Sequence, residues 1–177
     1  MTWPFRSARE SKRLLVSEMR QHLYPHLLHL GFRVFRGNDG DPKGFPTRYY
    51  RVSDNRIDVI FFQWRKWGVP KFIIDFNVIE NKEKYTSFPQ HGSESWYNES
   101  RYRARRNTGF FSKWFGLSLL QRALFPSAAA FNAVQSAKTR INEIDLFMST
   151  GEPSPYLRDM RTLGRASPGN WDRPSDA

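Results

Sequence analysis

Residues 56–80, RIDVIFFQWRKWGVPKFIIDFNVIE, decide the fold of this chain. They predict two β-strands, at 57–64 and 72–79, joined by a short loop with the sequence WGVP. Parallel strands need a long crossover, so this short loop indicates an antiparallel pair. The first strand is apolar on both faces, and we therefore expect it to be covered on both sides of the sheet.

An amphipathic helix is predicted ahead of the hairpin, over residues 8–30. Its apolar residues recur at spacings of four, four, four and three, which places them on one helix face: Leu15, Met19, Leu23, Leu27 and Leu30. Pro25 lacks an N–H and clashes with the preceding turn, so we expect a kink there, or two helices with Pro25 in the first turn of the second. Gly31 ends the helix, because glycine accepts the left-handed conformation at that position.

Two further strands are predicted between this helix and the hairpin, at 32–36 and 48–52, on either side of a turn-rich segment. Together with the hairpin they form an antiparallel meander of about four strands. A C-terminal helix is predicted to begin with Ser127 as its N-cap and to end at Gly151. Its apolar stripe is Phe131, Val134, Ala137, Ile141, Ile144 and Met148. The expected fold class is therefore α+β, a sheet packed by an N-terminal and a C-terminal helix.

The remaining segments have weaker patterns. We expect a helix over 114–125, one or two further helical turns at 156–163, and a long basic aromatic loop over 81–113, with at most a short element inside it. The expected domain organisation is a single α+β domain over 1–163, followed by a flexible tail over 164–177.

Length and composition exclude several classes of protein. A chain of 177 residues with 16% aromatic residues has the material for a packed core, which argues against disorder. The absence of cysteine excludes disulfides, thiol nucleophiles and zinc sites built on thiolates. No apolar run reaches the length that spans a bilayer, and the N-terminus lacks the apolar core of a signal peptide, so we expect a cytoplasmic protein with no membrane span.

The order of these segments carries a family resemblance. Helix, LLHLGF, turn-rich segment, RIDVIFFQW, KFIIDFNV and a late INEIDLFMSTGEPSPYLRD together resemble the domain of unknown function 4304 family of bacteria, over most of residues 10–160. The matching residues are Leu28, Leu30, Gly31, Phe32, Ile57, Val59, Gln63, Trp64, Pro70, Phe72, Asn77, Ile144, Phe147 and Gly151. The resemblance implies an α+β fold and a bacterial origin, and it transfers no catalytic residue.

The chain is strongly basic, with 28 Lys and Arg against 17 Asp and Glu and a formal net charge of +11. Such an excess favours contact with phosphates, anionic lipid or an acidic protein. The candidate anion-binding residues in the predicted loop are Arg101, Arg103, Arg105, Arg106 and Lys113. The aromatic residues predicted to stack on bases among them are Trp96, Tyr97 and Tyr102. The alternative is a solvated loop whose aromatic residues anchor it to the core.

A metal-dependent nuclease is the competing hypothesis. Sites of the Asp…Glu-x-Lys type hold a divalent metal with two carboxylates, while a lysine stabilises charge or positions water. Here Glu80 and Lys82 follow one strand, and Asp58 opens the strand before it. The same residues at 80–84 also fit an ordinary solvated turn, because a three-residue pattern is frequent by chance.

The other chemical signals point away from catalysis. His22, His26 and His29 share a helical face but have no HExxH-type carboxylate between them, so we expect partly buried or interfacial histidines and no metal site. No Gly-x-Ser-x-Gly elbow and no glycine-rich phosphate loop occurs, and no cofactor is predicted. The sequence thus favours a non-catalytic binding or accessory protein of a bacterial multi-protein assembly, with a basic surface for an acidic protein partner or for nucleic acid.

Overall fold

The computed structural model describes residues 7–34, 48–53, 56–80, 102–107 and 113–160. The helical elements are α1 Ala8–Glu18, a π-helical turn Met19–Leu23, α2 Tyr24–His29, α3 Leu119–Leu124 and α4 Pro126–Thr150. The strands are β1 Arg33–Val34, β2 Arg48–Val52, β3 Arg56–Trp64, β4 Lys71–Glu80, β5 Tyr102–Ala104, β6 Phe115–Gly116 and β7 Leu157–Asp159.

These strands form one antiparallel sheet in the order β1-β2-β3-β4-β5-β7, and β6 also pairs with β4. The predicted α+β class is confirmed, and so is the meander of the first four strands. Two of the three remaining short strands, β6 and β7, were not predicted, whereas a short element such as β5 was allowed for inside the expected loop. β5 lies inside the expected loop, β6 occupies the start of the expected helix over 114–125, and β7 replaces the expected helical turns after residue 156. Strands of two or three residues are too short to show a period of two.

The β3–β4 hairpin is the centre of the sheet and is buried on both faces. Its register runs from Arg56 opposite Glu80 to Trp64 opposite Phe72. Residues facing the helices join the main core: Ile60, Phe62, Phe72, Ile74 and Phe76. On the opposite face, four apolar residues form a second buried cluster and are at most 4% exposed: Ile57, Val59, Phe61 and Ile79. The expectation that β3 is covered on both sides is therefore confirmed.

The N-terminal helix is continuous but changes its winding before Pro25. A spacing of four residues turns about 400° on an α-helix, so three such steps drift about 120° around the axis. In a π turn the backbone hydrogen bonds join residues five apart, and each residue rotates less about the helix axis than in an α-helix, which offsets this drift. Leu15, Met19, Leu23 and Leu27 are all fully buried as a result. The Tyr24 N–H donates to the Met19 carbonyl, and Pro25 then falls in the first turn of α2, as one of the two expectations had it.

The C-terminal helix α4 differs from the expectation at its start. It begins at Pro126, with Phe125 and not Ser127 in the N-cap position, because proline's fixed φ suits the first helical turn. It ends at Gly151, with φ of 76°, as predicted. Phe131 is 42% exposed, so its place in the apolar stripe was wrong. Its ring instead makes an edge contact with His22, while alanines occupy the inner face of this first part of the helix.

The predicted tail, 164–177, lies outside the residues that the structure describes. Within the described residues, no helix is both long enough and apolar enough to cross a membrane.

Candidate functional site

The tip of the β3–β4 hairpin carries an exposed tryptophan. The Arg65 N–H donates to the Lys71 carbonyl at 2.9 Å, and the Lys71 N–H donates to the Val69 carbonyl at 2.7 Å, so the turn is closed by backbone bonds. Within it Trp67 and Gly68 both have positive φ, at 66° and 67°. Trp67 is 91% exposed, which points its ring away from the core.

Strand β6 braces the base of this tip. The Leu117 N–H donates to the Pro70 carbonyl at 3.0 Å. Gly116 has φ of 136°, and a Cβ at this position would lie 2.2 Å from the Pro70 carbonyl oxygen. Only glycine permits this approach, because any side chain would overlap the backbone of the hairpin. Trp114 directly precedes β6 and therefore lies beside the base of the hairpin.

The ring of Trp114 is contacted by cations from two segments of the chain. The Arg65 guanidinium lies 5.6 Å from the centroid of its ring, and the Lys113 ammonium lies 5.8 Å away. Both distances are within the range of cation–π attraction. Arg65 belongs to the hairpin and Lys113 to the segment before β6, so the indole joins the two basic segments.

Lys71 lies in the same positive field. Burial lowers the pKa of its ammonium group, and the charges of Arg65 and Arg106 lower it further. Lys71 is therefore close enough to both arginines to be repelled by their charges. We call the set the hairpin-tip cluster: Arg65, Lys66, Trp67, Lys71, Arg106, Lys113 and Trp114.

The cations of this cluster are not neutralised by the described part of the chain. There, no carboxylate forms an ion pair with Arg65, Lys66, Lys71 or Lys113. Like charges held together without a counter-charge create a local positive potential that attracts anions. Two indole rings among them add flat apolar faces.

We compared the chain with family models, curated proteins and solved structures, and nothing matched. Membership of the domain of unknown function 4304 family therefore stays a prediction.

The predicted anion-binding residues separate into different roles. Arg106 and Lys113 lie in the hairpin-tip cluster. Arg103 instead binds Asp75 through two contacts, Nε to Oδ1 at 2.6 Å and Nη2 to Oδ2 at 2.9 Å. The backbone N–H of Arg105 donates to the Tyr156 carbonyl, which joins β5 to the segment before β7. Arg101 lies outside the described residues.

Of the predicted stacking residues, Tyr102 is the one that the structure describes. Its ring stacks on Phe76 with centroids 5.1 Å apart and contacts Phe147 at 5.0 Å. Tyr102 therefore anchors β5 to the core, as the solvated-loop alternative expected of the aromatic residues. Trp96 and Tyr97 lie outside the described residues.

The residues of the nuclease hypothesis differ in their burial and in their bonding partners. Asp58 is buried and receives ion pairs from Arg51 at 2.9 Å and from Arg56 at 3.1 Å. Glu80 is exposed at the end of β4, and Lys82 lies outside the described residues. In the described ranges, no three His, Cys, Asp or Glu side chains are grouped to hold a metal ion.

Asp58 is instead part of a network that joins the sheet to both terminal helices. Arg51 on β2 also donates to Asp145 on α4 at 2.6 Å and to the Leu30 carbonyl after α2 at 3.0 Å. Burial acts to lower the pKa of Arg51, but its hydrogen bonds to Asp58 and Asp145 outweigh that effect and raise it. The network therefore holds a permanently charged guanidinium between two carboxylates.

A polar cavity of about 500 Å³ lies at the opposite end of the hairpin, between the end of β4 and the last turn of α4. It is lined by Arg56, Asn77, Val78, Ile79, Glu80, Tyr102, Phe147, Met148, Ser149, Thr150 and Gly151. Arg56 already pairs with Asp58, so the cavity lacks the concentration of cations found at the tip.

Sequence reasoning missed the four cluster residues that the hairpin itself contributes: Arg65, Lys66, Trp67 and Lys71. The available signal was the turn itself, RKWGVPK, in which cations flank a tryptophan next to a turn glycine. Its neighbours from the segment before β6 are distant in sequence, so their convergence on the hairpin is visible only in the fold.

Proposed function

We propose that this protein is a binding protein that attaches to nucleic acid through the hairpin-tip cluster. The observation that carries the proposal is the convergence of cations around Trp114, at the base of the turn that exposes Trp67, with no ion-pairing carboxylate in the described part of the chain. Arginine and lysine neutralise phosphates, and aromatic rings stack on bases.

The electrostatics of Lys71 support an anionic partner. Its charged form is disfavoured by burial and by two neighbouring cations, so the free protein bears a local repulsion. A phosphate placed among Lys71, Arg65 and Arg106 would replace that repulsion with attraction. Such a site binds more weakly as salt rises, because binding a phosphate backbone releases counterions.

The exposed indole of Trp67 favours nucleic acid over an acidic protein. Carboxylates of a protein partner would satisfy the cations, but a carboxylate itself offers no flat apolar face to Trp67. A nucleic acid supplies both groups in regular alternation, a phosphate and a base in each nucleotide.

The test is fluorescence anisotropy with labelled oligonucleotides, at low salt and over a salt series. We expect binding that weakens as salt rises, and we expect Lys66→Gln to reduce the salt slope by roughly the contribution of one phosphate contact. Arg33→Gln is the matched control, since Arg33 is an exposed cation on β1, away from the β6 side of the hairpin.

Absence of binding at low salt would refute the proposal. So would an equal loss of affinity in Lys66→Gln and Arg33→Gln, because the effect would then reflect net charge alone. An acidic peptide that binds the tip while oligonucleotides do not would assign the cluster to a protein partner.

A further inference from the structure

We infer that the hairpin-tip cluster binds single-stranded nucleic acid, with an unpaired base stacked on Trp67. The inference rests on the proposed function and specifies its ligand. It comes from a residue whose presence neither the local backbone nor the core explains.

The backbone at position 67 disfavours tryptophan. Trp67 has φ of 66° and is the one described residue other than glycine with positive φ. A bulky side chain in this left-handed region is an outlier, whereas asparagine, aspartate and glycine adopt it far more readily. A turn selected for its geometry alone would therefore carry one of those residues.

Burial does not explain the tryptophan either. The side chain is 91% exposed, so its large apolar surface contributes almost nothing to the core. An exposed apolar residue is ordinary in isolation. Here it coincides with an unfavourable backbone conformation and with flanking cations, Arg65 and Lys66. Within the described part of the chain nothing accounts for the indole, which therefore points to an external partner.

The flat partner that fits this setting is an unpaired base. In a duplex each base face is covered by its neighbours, so an indole projecting from a turn has no free base face to meet. In a single strand the base face is free, and the adjacent phosphates lie within reach of flanking cations. Trp114 has a different role from Trp67, because Arg65 and Lys113 already lie over its ring. It positions cations, while Trp67 meets the base.

The decisive variant is Trp67→Asn, with Trp67→Phe as its matched control. Asparagine suits the left-handed backbone, so Trp67→Asn should unfold at an equal or higher urea concentration than the wild type. We expect its affinity for a labelled single strand to fall by roughly five- to a hundredfold, the usual effect of removing one base–aromatic stack. Trp67→Phe keeps a ring and should retain most of the affinity.

A duplex of the same sequence separates the inference from the proposed function. We expect the duplex to bind more weakly than the single strand and to be insensitive to Trp67→Asn. If single strand and duplex bind equally well and neither responds to Trp67→Asn, the inference is wrong while the proposed function stands. If neither binds at low salt, the proposed function fails and the inference with it. A loss of stability in Trp67→Asn would refute the claim that the backbone disfavours tryptophan.

Discussion

Replacing Arg103 with methionine tests whether this arginine serves the fold. Asp75, its partner, is 2% exposed on the sheet face that also carries Phe61, whereas Arg103 is partly exposed. Removing the guanidinium would leave a buried carboxylate without its two short contacts, at 2.6 and 2.9 Å. Breaking a buried pair from one side costs about 3–5 kcal/mol, and the exposure of Arg103 points to the lower end, about 3 kcal/mol.

Urea denaturation followed by far-UV circular dichroism measures this loss. With a slope of about 2 kcal/mol/M for a chain of this size, a loss of about 3 kcal/mol lowers the unfolding midpoint by about 1.5 M. The slope itself should not change, because the variant exposes a similar surface on unfolding.

The double variant Arg103→Met with Asp75→Leu provides the control. Replacing a buried ion pair with apolar residues of similar size is often neutral or stabilising, so the double variant should recover most of the lost stability. A loss below about 1 kcal/mol in Arg103→Met, the range of an exposed ion pair, would refute the reasoning. So would a double variant that is less stable than Arg103→Met alone.

Three further variants test other parts of the structure. Gly116→Ala should lower the unfolding free energy by about 3 kcal/mol or more, because its Cβ would overlap the Pro70 carbonyl. Gly68→Ala, which has open space around it, should lower that free energy by only about 1–2 kcal/mol, through its left-handed backbone conformation. Equal losses in the two variants would contradict the overlap. Tyr49→Phe should raise the unfolding free energy by about 1 kcal/mol, because the buried hydroxyl has no hydrogen-bond partner in the described structure. A decrease of that size in urea denaturation would show that the hydroxyl does have a partner. Lys71→Met should stabilise the fold at neutral pH and weaken oligonucleotide binding. Its gain in stability over the wild type should shrink as pH rises through the lowered pKa of Lys71, because the wild type then loses the unfavourable charge. A gain that does not change with pH would contradict this reasoning.

Prediction from sequence succeeded where a pattern repeats over many residues. β3 and β4 are nine and ten residues long, and their apolar residues indicate both strand and burial. The end of α4 was also predictable, because Gly151 has a conformation that few other residues adopt. The strands β6 and β7 were missed since their two or three residues form strand through pairing with distant segments, which local sequence does not encode.

The candidate site shows the same division. A basic aromatic segment was recognisable over residues 81–113, and Arg106 and Lys113 belong to it. Composition does not tell which arginine finds a carboxylate in the folded chain, and Arg103 finds Asp75 only because β5 pairs with β4 at that register. Charge counted along a sequence therefore overstates the charge that is free to meet a ligand.

The π turn at Met19–Leu23 has a consequence for how chain length can vary. A π turn amounts to one residue more than an α-helix needs, so the flanking segments keep their orientation whether or not that residue is present. Homologues that lack one residue in this stretch would bury the same helix face. Their buried apolar residues would be spaced four and three residues apart, in place of four and four. Proline at position 25 would then fall within a regular α-helix and break its bonding. We expect the insertion and the proline to be gained or lost together, and a sequence alignment of homologues should show a single-residue gap there.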